Sequence, residues 1–409
     1  MIEDTAAAQR WLSIVGIGED GVAGLSAVAR ALVSGAEIVF GGKRHLGLAT
    51  PLIRGAVRPW PSPFEGAVAE VLAQRGRQVC VLASGDPYLY GIGAVLARHV
   101  APAETVVVPA PSAFSLAAAR LGWALADCAL VSLHGRELDR VRPHLQPAAR
   151  VLALTSDGDG PARLAALLAA TGFGDSRLTV LEALGGPRER IRAASASAYD
   201  IGAVDPLNTV AIEVMAAAGA RIIARAAGLP DALFEHDGQI TKREVRAVTL
   251  SSLAPQRGEL LWDIGAGAGS VAIEWMLADV SLRAIAIEAR RERAARIGRN
   301  AASLGVPELA VVQGTAPAAL AALAPPDAIF IGGGASEAGV LDAALATLRC
   351  GGRLVVNAVT LETQRLLLAQ QHARGGELIR VAIERAEALG GTQVWRPALP
   401  VTQWRWVKP

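Results

Sequence analysis

Two acidic residues and a set of spaced glycines are the part of this 409-residue sequence best suited to hold a ligand. Asp263 lies near the end of an apolar stretch and is followed by Gly265, Gly267 and Gly269. Glycines let the backbone approach a ligand closely, and a helix that begins after them offers free N–H groups. Glu288, which ends the next apolar stretch about twenty residues on, can accept hydrogen bonds from ribose hydroxyl groups. The pattern predicts a strand, a glycine loop, a helix and a second strand that together bind a nucleoside-containing cofactor.

Two kinds of cofactor are compatible with this unit, and Asp263 distinguishes them. The segment 267–272 satisfies the dinucleotide pattern G-x-G-x-x-G/A, but the segment 263–269 resembles the first motif of class I S-adenosylmethionine-dependent methyltransferases. A buried carboxylate is costly without a cationic or N–H partner. The ammonium group of S-adenosylmethionine and nearby loop amides would supply that partner, whereas Asp263 would repel a pyrophosphate. A glycine-rich turn without a ligand is the remaining alternative. The cofactor-binding candidates here are Asp263, Gly265, Ala266, Gly267, Ala268, Gly269 and Glu288.

The elements that must position these residues form an α/β pattern in both halves of the chain. In the N-terminal half, apolar strands alternate with helical segments such as 23–34, and the strands end in loops rich in glycine and proline. Sheets of this kind bind ligands at their strand ends. The segment 16–21 also satisfies the dinucleotide pattern, but the strand after it ends in Gly41 and Gly42 and so lacks the ribose-binding carboxylate.

Composition limits the class of protein. The length predicts two or three domains, and the net charge of +2 gives no reason to expect nucleic acid as a partner. The three cysteines are far apart, which favours a reducing, cytoplasmic compartment, and the six histidines do not cluster, so no metal site is expected. The long uncharged runs are broken by proline and glycine and are read as buried elements, with no membrane association expected.

Four motifs mark the N-terminal half: Gly16-Ile17-Gly18, Gly41-Gly42-Lys43-Arg44-His45, Ser84-Gly85-Asp86-Pro87 and Ser132-Leu133-His134-Gly135-Arg136. They resemble the tetrapyrrole (corrin/porphyrin) methylases, most closely the branch that handles precorrin-6Y in cobalamin biosynthesis. The resemblance runs from about residue 11 to 215 and implies two α/β subdomains with S-adenosylmethionine between them. It implies cofactor contacts at Gly16, Gly18, Gly85, Asp86, Pro87 and Ser112, and makes Lys43, Arg44, His134 and Arg136 substrate-binding candidates. From the residues alone, Asp86 can instead cap its own turn, and His134 can be structural.

The C-terminal half contains Thr241-Lys242-Arg243-Glu244, the glycine loop, Ile331–Gly334 and the segment 355–360. With these motifs it resembles the decarboxylating C15-methyltransferase component of the same pathway, with a Rossmann-like class I fold. The resemblance puts Thr241 at the cofactor, and the loop containing Ala316 is where class I methyltransferases contact adenine. Thr241 and Glu244 also predict a helix-capping box. The substrate-binding candidates are Lys242 and the loop residues Gly332, Gly333 and Gly334. This loop is small and rich in N–H groups, so it can admit a bulky polyanion.

The two resemblances together predict the domains and the activity. The domains are 1–220, a tetrapyrrole-methylase domain for C5 methylation, a linker at 221–235 with a short helix, and 236–409, a class I domain for C15 methylation and decarboxylation. The implied reaction is two S-adenosylmethionine-dependent methyl transfers to a tetrapyrrole and loss of CO₂ from its ring C acetate. An RNA methyltransferase and a non-catalytic S-adenosylmethionine sensor remain the alternatives. Trp395, Trp404 and Trp406 suggest core or oligomer contacts, and a homo-oligomer is expected.

Overall fold

The computed structural model describes residues 10–62 and 64–409. The chain divides into two compact units, one formed by residues 10–136 and 144–221 and the other by residues 137–143 and 222–409. All three large sheets carry helices, so the predicted α/β class is confirmed.

The first unit begins with a five-stranded parallel sheet in the order β3-β2-β4-β1-β5. Its strands are almost continuously apolar, and β1 is buried along its whole length, as expected for a parallel sheet covered on both faces. The strands are β1 (Leu12–Ile17), β2 (Ile38–Gly41), β3 (Ala56–Pro59), β4 (Val79–Ser84) and β5 (Thr105–Val108), and the helices are α1 (Ala27–Gly35), α2 (Lys43–Ala49), α3 (Ala67–Leu72) and α4 (Ile92–Leu96).

The same unit continues into a second five-stranded sheet in the order β6-β7-β10-β8-β9, in which only β6 and β7 are parallel. Leu152, Leu181 and Ala211 of this sheet pack against Phe114. The strands are β6 (Cys128–Ser132), β7 (Arg150–Leu154), β8 (Arg177–Glu182), β9 (Arg190–Ser195) and β10 (Asn208–Glu213), and the helices are α5 (Ala113–Leu121) and α6 (Gly160–Ala170).

The second unit is built on a seven-stranded sheet in the order β13-β12-β11-β14-β15-β19-β16. The first five strands are parallel, and β19 runs antiparallel to both of its neighbours. The strands are β11 (Leu260–Ile264), β12 (Arg283–Glu288), β13 (Ala310–Gln313), β14 (Ala328–Ile331), β15 (Arg353–Ala358), β16 (Glu377–Val381), the hairpin β17 (Glu384–Leu389) and β18 (Thr392–Pro397), and β19 (Val401–Val407). The helices are α7 (Arg243–Leu253), α8 (Ser270–Ala278), α9 (Arg291–Ser303), α10 (Val340–Thr347) and α11 (Leu361–Arg374).

Of two helix predictions in the connecting segments, the first is wrong only in its start and the second is wrong. The helix expected at 23–34 begins at Ala27, because the Ser26 hydroxyl accepts a hydrogen bond from the Ala29 N–H at 3.2 Å and caps it, and a 3₁₀ turn, Gly21–Gly24, precedes it. The short helix expected in the linker is replaced by the 3₁₀ turn Asp231–Leu233 within otherwise irregular chain.

The three tryptophans near the C-terminus differ in their burial. Trp404 and Trp406 are buried in the core, whereas Trp395 on the hairpin is exposed. Within residues 10–62 and 64–409, no helix combines the length and the hydropathy needed to cross a bilayer. Over the same residues, no cluster of three or more His, Cys, Asp or Glu side chains is arranged to hold a metal ion.

Candidate functional site

A cavity of about 740 Å³ lies at the carboxyl edge of the parallel strands in the second unit. Strands β11 to β15 all point to this edge, which is where open α/β sheets bind ligands. The cofactor candidates at its surface are Thr241, Gly265, Ala266, Gly267, Glu288 and Ala316, and the substrate candidates there are Lys242, Gly332, Gly333 and Gly334. The structure therefore brings together residues from both predicted sets.

The loop after β11 requires glycine for steric reasons. Gly265, Gly267 and Gly269 have φ values of 71°, 60° and 75°, which L side chains rarely adopt. A Cβ atom on Gly265 would lie 2.9 Å from the Gly333 carbonyl oxygen, and one on Gly269 would lie 2.7 Å from Ile297. Gly269 and Ala268 do not line the cavity, so their part is to shape the turn.

Glu288 closes this loop from the neighbouring strand. Its Oε2 accepts a hydrogen bond from the Gly267 N–H at 2.9 Å, and its Oε1 accepts one from the Arg290 N–H, also at 2.9 Å. The side chain is 5% exposed and lines the cavity. Because each carboxylate oxygen has more than one lone pair, Glu288 can still accept hydrogen bonds from ribose hydroxyl groups.

Asp263 occupies a different place from the one the sequence suggested. It is 1% exposed, lies beneath the glycine loop and does not line the cavity, so direct contact with the ammonium group of a cofactor is not what this geometry provides. Its Oδ2 accepts a hydrogen bond from the Ala272 N–H at 3.1 Å in the first turn of α8, and its Oδ1 has no partner. Burial, together with the nearby Glu288 charge, raises the pKa of Asp263 to about 7.

The capping box predicted at Thr241 and Glu244 is wrong. Helix α7 begins one residue later than expected, at Arg243, and its N-cap residue is Lys242, whose side chain makes no capping bond. The Thr241 carbonyl oxygen accepts a hydrogen bond from the buried guanidinium of Arg246. That bond fixes the segment before α7 against the cavity and keeps Thr241 at the cavity surface.

The other half of the cavity has the features of a substrate side. Gly332, Gly333 and Gly334 follow β14, and a Cβ atom on Gly333 would meet no atom within 4 Å. Lys242 and Arg385 bring positive charge to the lining; Arg385 pairs with Glu244 at 2.5 Å. Arg385 was not singled out in the sequence, because nothing local marks a hairpin arginine as part of a site.

In the first unit, the predicted cofactor candidates meet at the carboxyl ends of β1, β4 and β5. The Gly85 N–H donates to the Ile17 carbonyl at 3.2 Å, and a Cβ atom on Gly16 would clash with the Gly85 carbonyl oxygen. Gly85 has φ +56°, and its missing Cβ would lie 2.9 Å from the Pro111 carbonyl oxygen. Ser112 caps α5 by accepting a hydrogen bond from the Ser115 N–H.

Asp86 and Pro87 shape the loop after β4. Asp86 Oδ1 accepts a hydrogen bond from the Tyr88 N–H at 2.8 Å, which is the self-capping turn that the residue type alone allows. The Pro87 carbonyl accepts a hydrogen bond from the Gly93 N–H at 2.9 Å at the start of α4. Gly18, at the end of β1, faces only the flexible side chain of Asp20.

The first unit's substrate candidates are divided between its two sheets. Arg44 pairs with Glu19, and Arg188 reaches the same carboxylate at 3.3 Å, so these charges tie the loops of the two sheets together. Lys43, the first residue of α2, is exposed. His134 is exposed, with Nδ1 3.3 Å from the Thr155 carbonyl oxygen, and Arg136 lies over the ring of Tyr90 at 5.6 Å.

Replacing Glu288 by glutamine is expected to weaken S-adenosylmethionine binding in the second unit about tenfold or more. Glutamine has one acceptor oxygen, so it cannot hold both backbone N–H groups and the ribose, and it loses the charge that strengthens these bonds. Isothermal titration of the full chain measures this. Glu292→Gln, an exposed charge change in α9, is the control; equal affinity in both variants would contradict the role of Glu288.

The residues present fit S-adenosylmethionine. The cavity volume is typical of a cofactor site, the glycine loop leaves room that side chains would fill, and carboxylate and backbone groups line the side formed by β11, β12 and β13. The cofactor is a cation at sulfur, and Glu288 supplies negative charge at the cavity surface.

Models of two protein families match separate parts of the chain. Residues 12–199 match the tetrapyrrole (corrin/porphyrin) methylases, and residues 232–408 match the precorrin methyltransferase domain. These two families are the ones that the motifs of each half resemble.

Individual relatives match nearly end to end. The chain is 62% identical over 399 residues to a precorrin-6Y C(5,15)-methyltransferase [decarboxylating] of Sinorhizobium sp, covering 97% of this chain and 96% of the relative. It is 41% identical over 396 residues to the protein of the same name in Mycobacterium tuberculosis, covering 96% and 98%. A solved structure of the C-terminal domain of precorrin-6Y C5,15-methyltransferase from Rhodobacter capsulatus is 49% identical, covering 46% of this chain and 100% of that one, with a TM-score of 0.44.

Proposed function

Because the chain belongs to the family of decarboxylating precorrin-6Y C(5,15)-methyltransferases, we propose that it methylates precorrin-6Y at C5 and C15 and releases CO₂ from it, as a step of cobalamin biosynthesis. The methyl donor is S-adenosylmethionine. One observation carries this conclusion: a single chain contains both a tetrapyrrole-methylase region and a precorrin methyltransferase region. The RNA methyltransferase alternative is not favoured.

The protein's own residues have mainly to position the reactants. S-adenosylmethionine, when bound, supplies an electrophilic methyl group on a positively charged sulfur. The carbons that accept it are enamine-like, so no residue has to generate a strong nucleophile, and alignment of carbon, methyl and sulfur lowers the barrier instead. In the second unit, the glycine loop and Glu288 hold the cofactor side of the cavity, and apolar residues such as Ile264 and Val340 keep water out.

The carboxylates of the substrate need cationic or N–H partners. Lys242 and Arg385 line the cavity, and the backbone N–H groups of Gly333 and Gly334 in the same lining are further donors. Decarboxylation needs an electron sink, which a protonated conjugated imine of the substrate supplies. This assignment uses no Ser/His/Asp triad.

The division of labour between the halves is part of the proposal. We assign C5 methylation to the first unit and C15 methylation with decarboxylation to the second. Support comes from the separate family matches of the two parts of the chain. The individual cofactor and substrate contacts named above belong to the same proposal.

We also propose that the chain is a cytoplasmic homo-oligomer. The three cysteines are free, which suits a reducing compartment. The apolar side chains of Trp395, Leu399 and Leu389, on and beside the hairpin, are exposed and suit a contact between copies of the chain. Equilibrium sedimentation of the full chain tests the oligomer, and a monomer at all concentrations would refute it.

Blocking each half in the full chain tests the assignment. Gly18→Leu adds bulk at the end of β1, where only the flexible Asp20 carboxylate lies within 4 Å, so the fold is retained while the strand end is obstructed. We expect Gly18→Leu to stop C5 methylation and Glu288→Gln to slow C15 methylation and CO₂ release. Mass spectrometry of the products with precorrin-6Y as substrate distinguishes these outcomes.

Gly35→Leu is the matched control, because Gly35 lies at the end of α1, away from the strand ends, and its Cβ would meet nothing within 4 Å. The assignment would be contradicted if Gly18→Leu lost both methylations. It would also be contradicted if Gly18→Leu and Glu288→Gln each retained both. A wild-type chain that neither methylates precorrin-6Y nor releases CO₂ would contradict the function itself.

A further inference from the structure

A buried network of uncharged side chains ends at the wall of the second unit's cavity. Gln403 on β19, which is 1% exposed, donates from Nε2 to Asn357 Oδ1 at 2.8 Å and to Thr249 Oγ1 at 3.1 Å. Asn357 on β15 donates from Nδ2 to the same Thr249 hydroxyl at 3.0 Å. Ser252 on α7 donates to Gln403 Oε1 at 2.6 Å.

These bonds fix the orientation of one amide. The side-chain carbonyl of Asn357 faces Gln403, and its amino group faces Thr249. Asn357 uses one of its two N–H groups and one of its carbonyl lone pairs in the network, and no other side-chain bond of Asn357 is found among the described residues. Asn357 is also the member of the network that lines the cavity.

The position of Asn357 points to the substrate and not to the cofactor. The glycine loop, Glu288 and the segment 314–316 follow β11, β12 and β13, which form one side of the sheet edge. Asn357 lies on the other side, on β15, beyond the glycine triplet that follows β14. The lining residues on β16 and β19 and just after β15 are apolar: Val381, Val401 and Val359.

We propose that the Asn357 amide binds the substrate carboxylate that is lost as CO₂. This inference rests on the proposed function and names the subsite within it. The C–C bond between the side-chain CH₂ and the carboxylate breaks, CO₂ leaves, and the electron pair enters the conjugated imine of the macrocycle. A proton from solvent then completes the methyl group, which balances the step.

A neutral donor suits this task better than a cation. A full ion pair with arginine or lysine would stabilise the carboxylate in the ground state, and that stabilisation disappears as the charge moves into the ring, so it would raise the barrier. An amide N–H in apolar surroundings orients the group without that penalty. The carboxylates that are retained can be bound by the cations Lys242 and Arg385 without cost to the chemistry.

The test compares Asn357→Asp and Asn357→Leu in the full chain. Asn357→Asp keeps the shape of the side chain but places a negative charge against the substrate carboxylate, so KM for precorrin-6Y in CO₂ release should rise about tenfold or more. Asn357→Leu should lower kcat for CO₂ release by about tenfold or more, because the carboxylate loses its orientation. The Kd for S-adenosylmethionine should stay within about twofold of wild type in both.

Thr249→Val tests the network itself, since it keeps the volume and removes the hydroxyl that both amides use; kcat for CO₂ release should fall by an intermediate factor. Thr402→Val is the matched control, because Thr402 is a buried threonine of β19 outside the network. An unchanged KM in Asn357→Asp, a weakened cofactor Kd, or an equal effect of Thr402→Val would overturn the inference. C5 methylation in the same samples shows that the enzyme is active, so failure here is distinct from failure of the proposed function.

Discussion

Replacing Arg246 by methionine is expected to destabilise the second unit by roughly 3–5 kcal/mol. Arg246 is fully buried, and its Nε donates to Glu274 Oε1 at 2.6 Å while a terminal nitrogen donates to Asp231 Oδ1 at 3.2 Å. The guanidinium also binds the carbonyl oxygens of Leu229 and Thr241. Without it, the buried Glu274 carboxylate keeps only the N–H groups of residues 228 and 229 as partners, and burying an unpaired charge is costly.

Chemical denaturation of the full chain measures this effect, and S-adenosylmethionine titration shows whether the cavity wall loosens with it. Arg299→Met is the control, since Arg299 pairs with Glu235 at 2.8 Å while both side chains are 56% exposed, and exposed pairs contribute little. Arg246→Met with Glu274→Gln should recover part of the loss, because the charge is removed and one acceptor is kept. Equal stability of Arg246→Met and Arg299→Met would contradict the importance of the buried pair.

Replacing Asp263 by asparagine is expected to remove a pH dependence of stability on the order of 4 kcal/mol. The pKa of Asp263 rises from 3.8 to about 7 on folding, about three units at about 1.4 kcal/mol each. At low pH the carboxyl is neutral in both the folded and the unfolded chain, and its burial carries no charge penalty. As pH rises from about 4 through 7, the unfolded chain ionises first, so the wild type loses stability relative to the variant.

Unfolding free energies of both proteins between pH 5 and pH 8 test this. The difference between wild type and variant should fall by roughly 2–3 kcal/mol over this range, which covers about two of the three pKa units. Asparagine can still accept the hydrogen bond from the Ala272 N–H, so the start of α8 is retained. Asp342→Asn, at an exposed position, controls for the loss of one charge. A wild-type minus variant difference that stays constant, or that grows with pH, would show that Asp263 is ionised in the folded protein at low pH.

The features that the sequence predicts are those encoded locally. Strand β11, the glycine loop and the acidic end of β12 follow from apolar runs and from φ values that only glycine adopts easily, so their arrangement could be inferred from a few adjacent residues. The α/β class follows from the alternation of such segments.

Side-chain networks that join distant parts of the chain are not visible in this way. Gln403 lies 154 residues from Thr249 and 46 from Asn357, so no local pattern links them. The error at Thr241 has the same origin. Its spacing to Glu244 satisfies the capping box, but a buried arginine, which the pattern does not consider, binds its carbonyl oxygen and the helix starts later. Asp263 is placed correctly in the sheet, but its burial beneath the loop depends on the packing of α8.

The glycines of the cavity differ in how freely they can change during evolution. Gly265 has a left-handed backbone conformation, and a Cβ atom on it would lie 2.9 Å from the carbonyl oxygen of Gly333. Any side chain at this position therefore disturbs the glycine loop. Gly333, on the substrate side, has open space at the same position. Mutational drift can therefore enlarge or polarise residue 333 while the fold and the cofactor loop are maintained. Within one cavity, the loop after β11 is therefore sterically constrained, whereas the loop after β14 tolerates new side chains at residue 333.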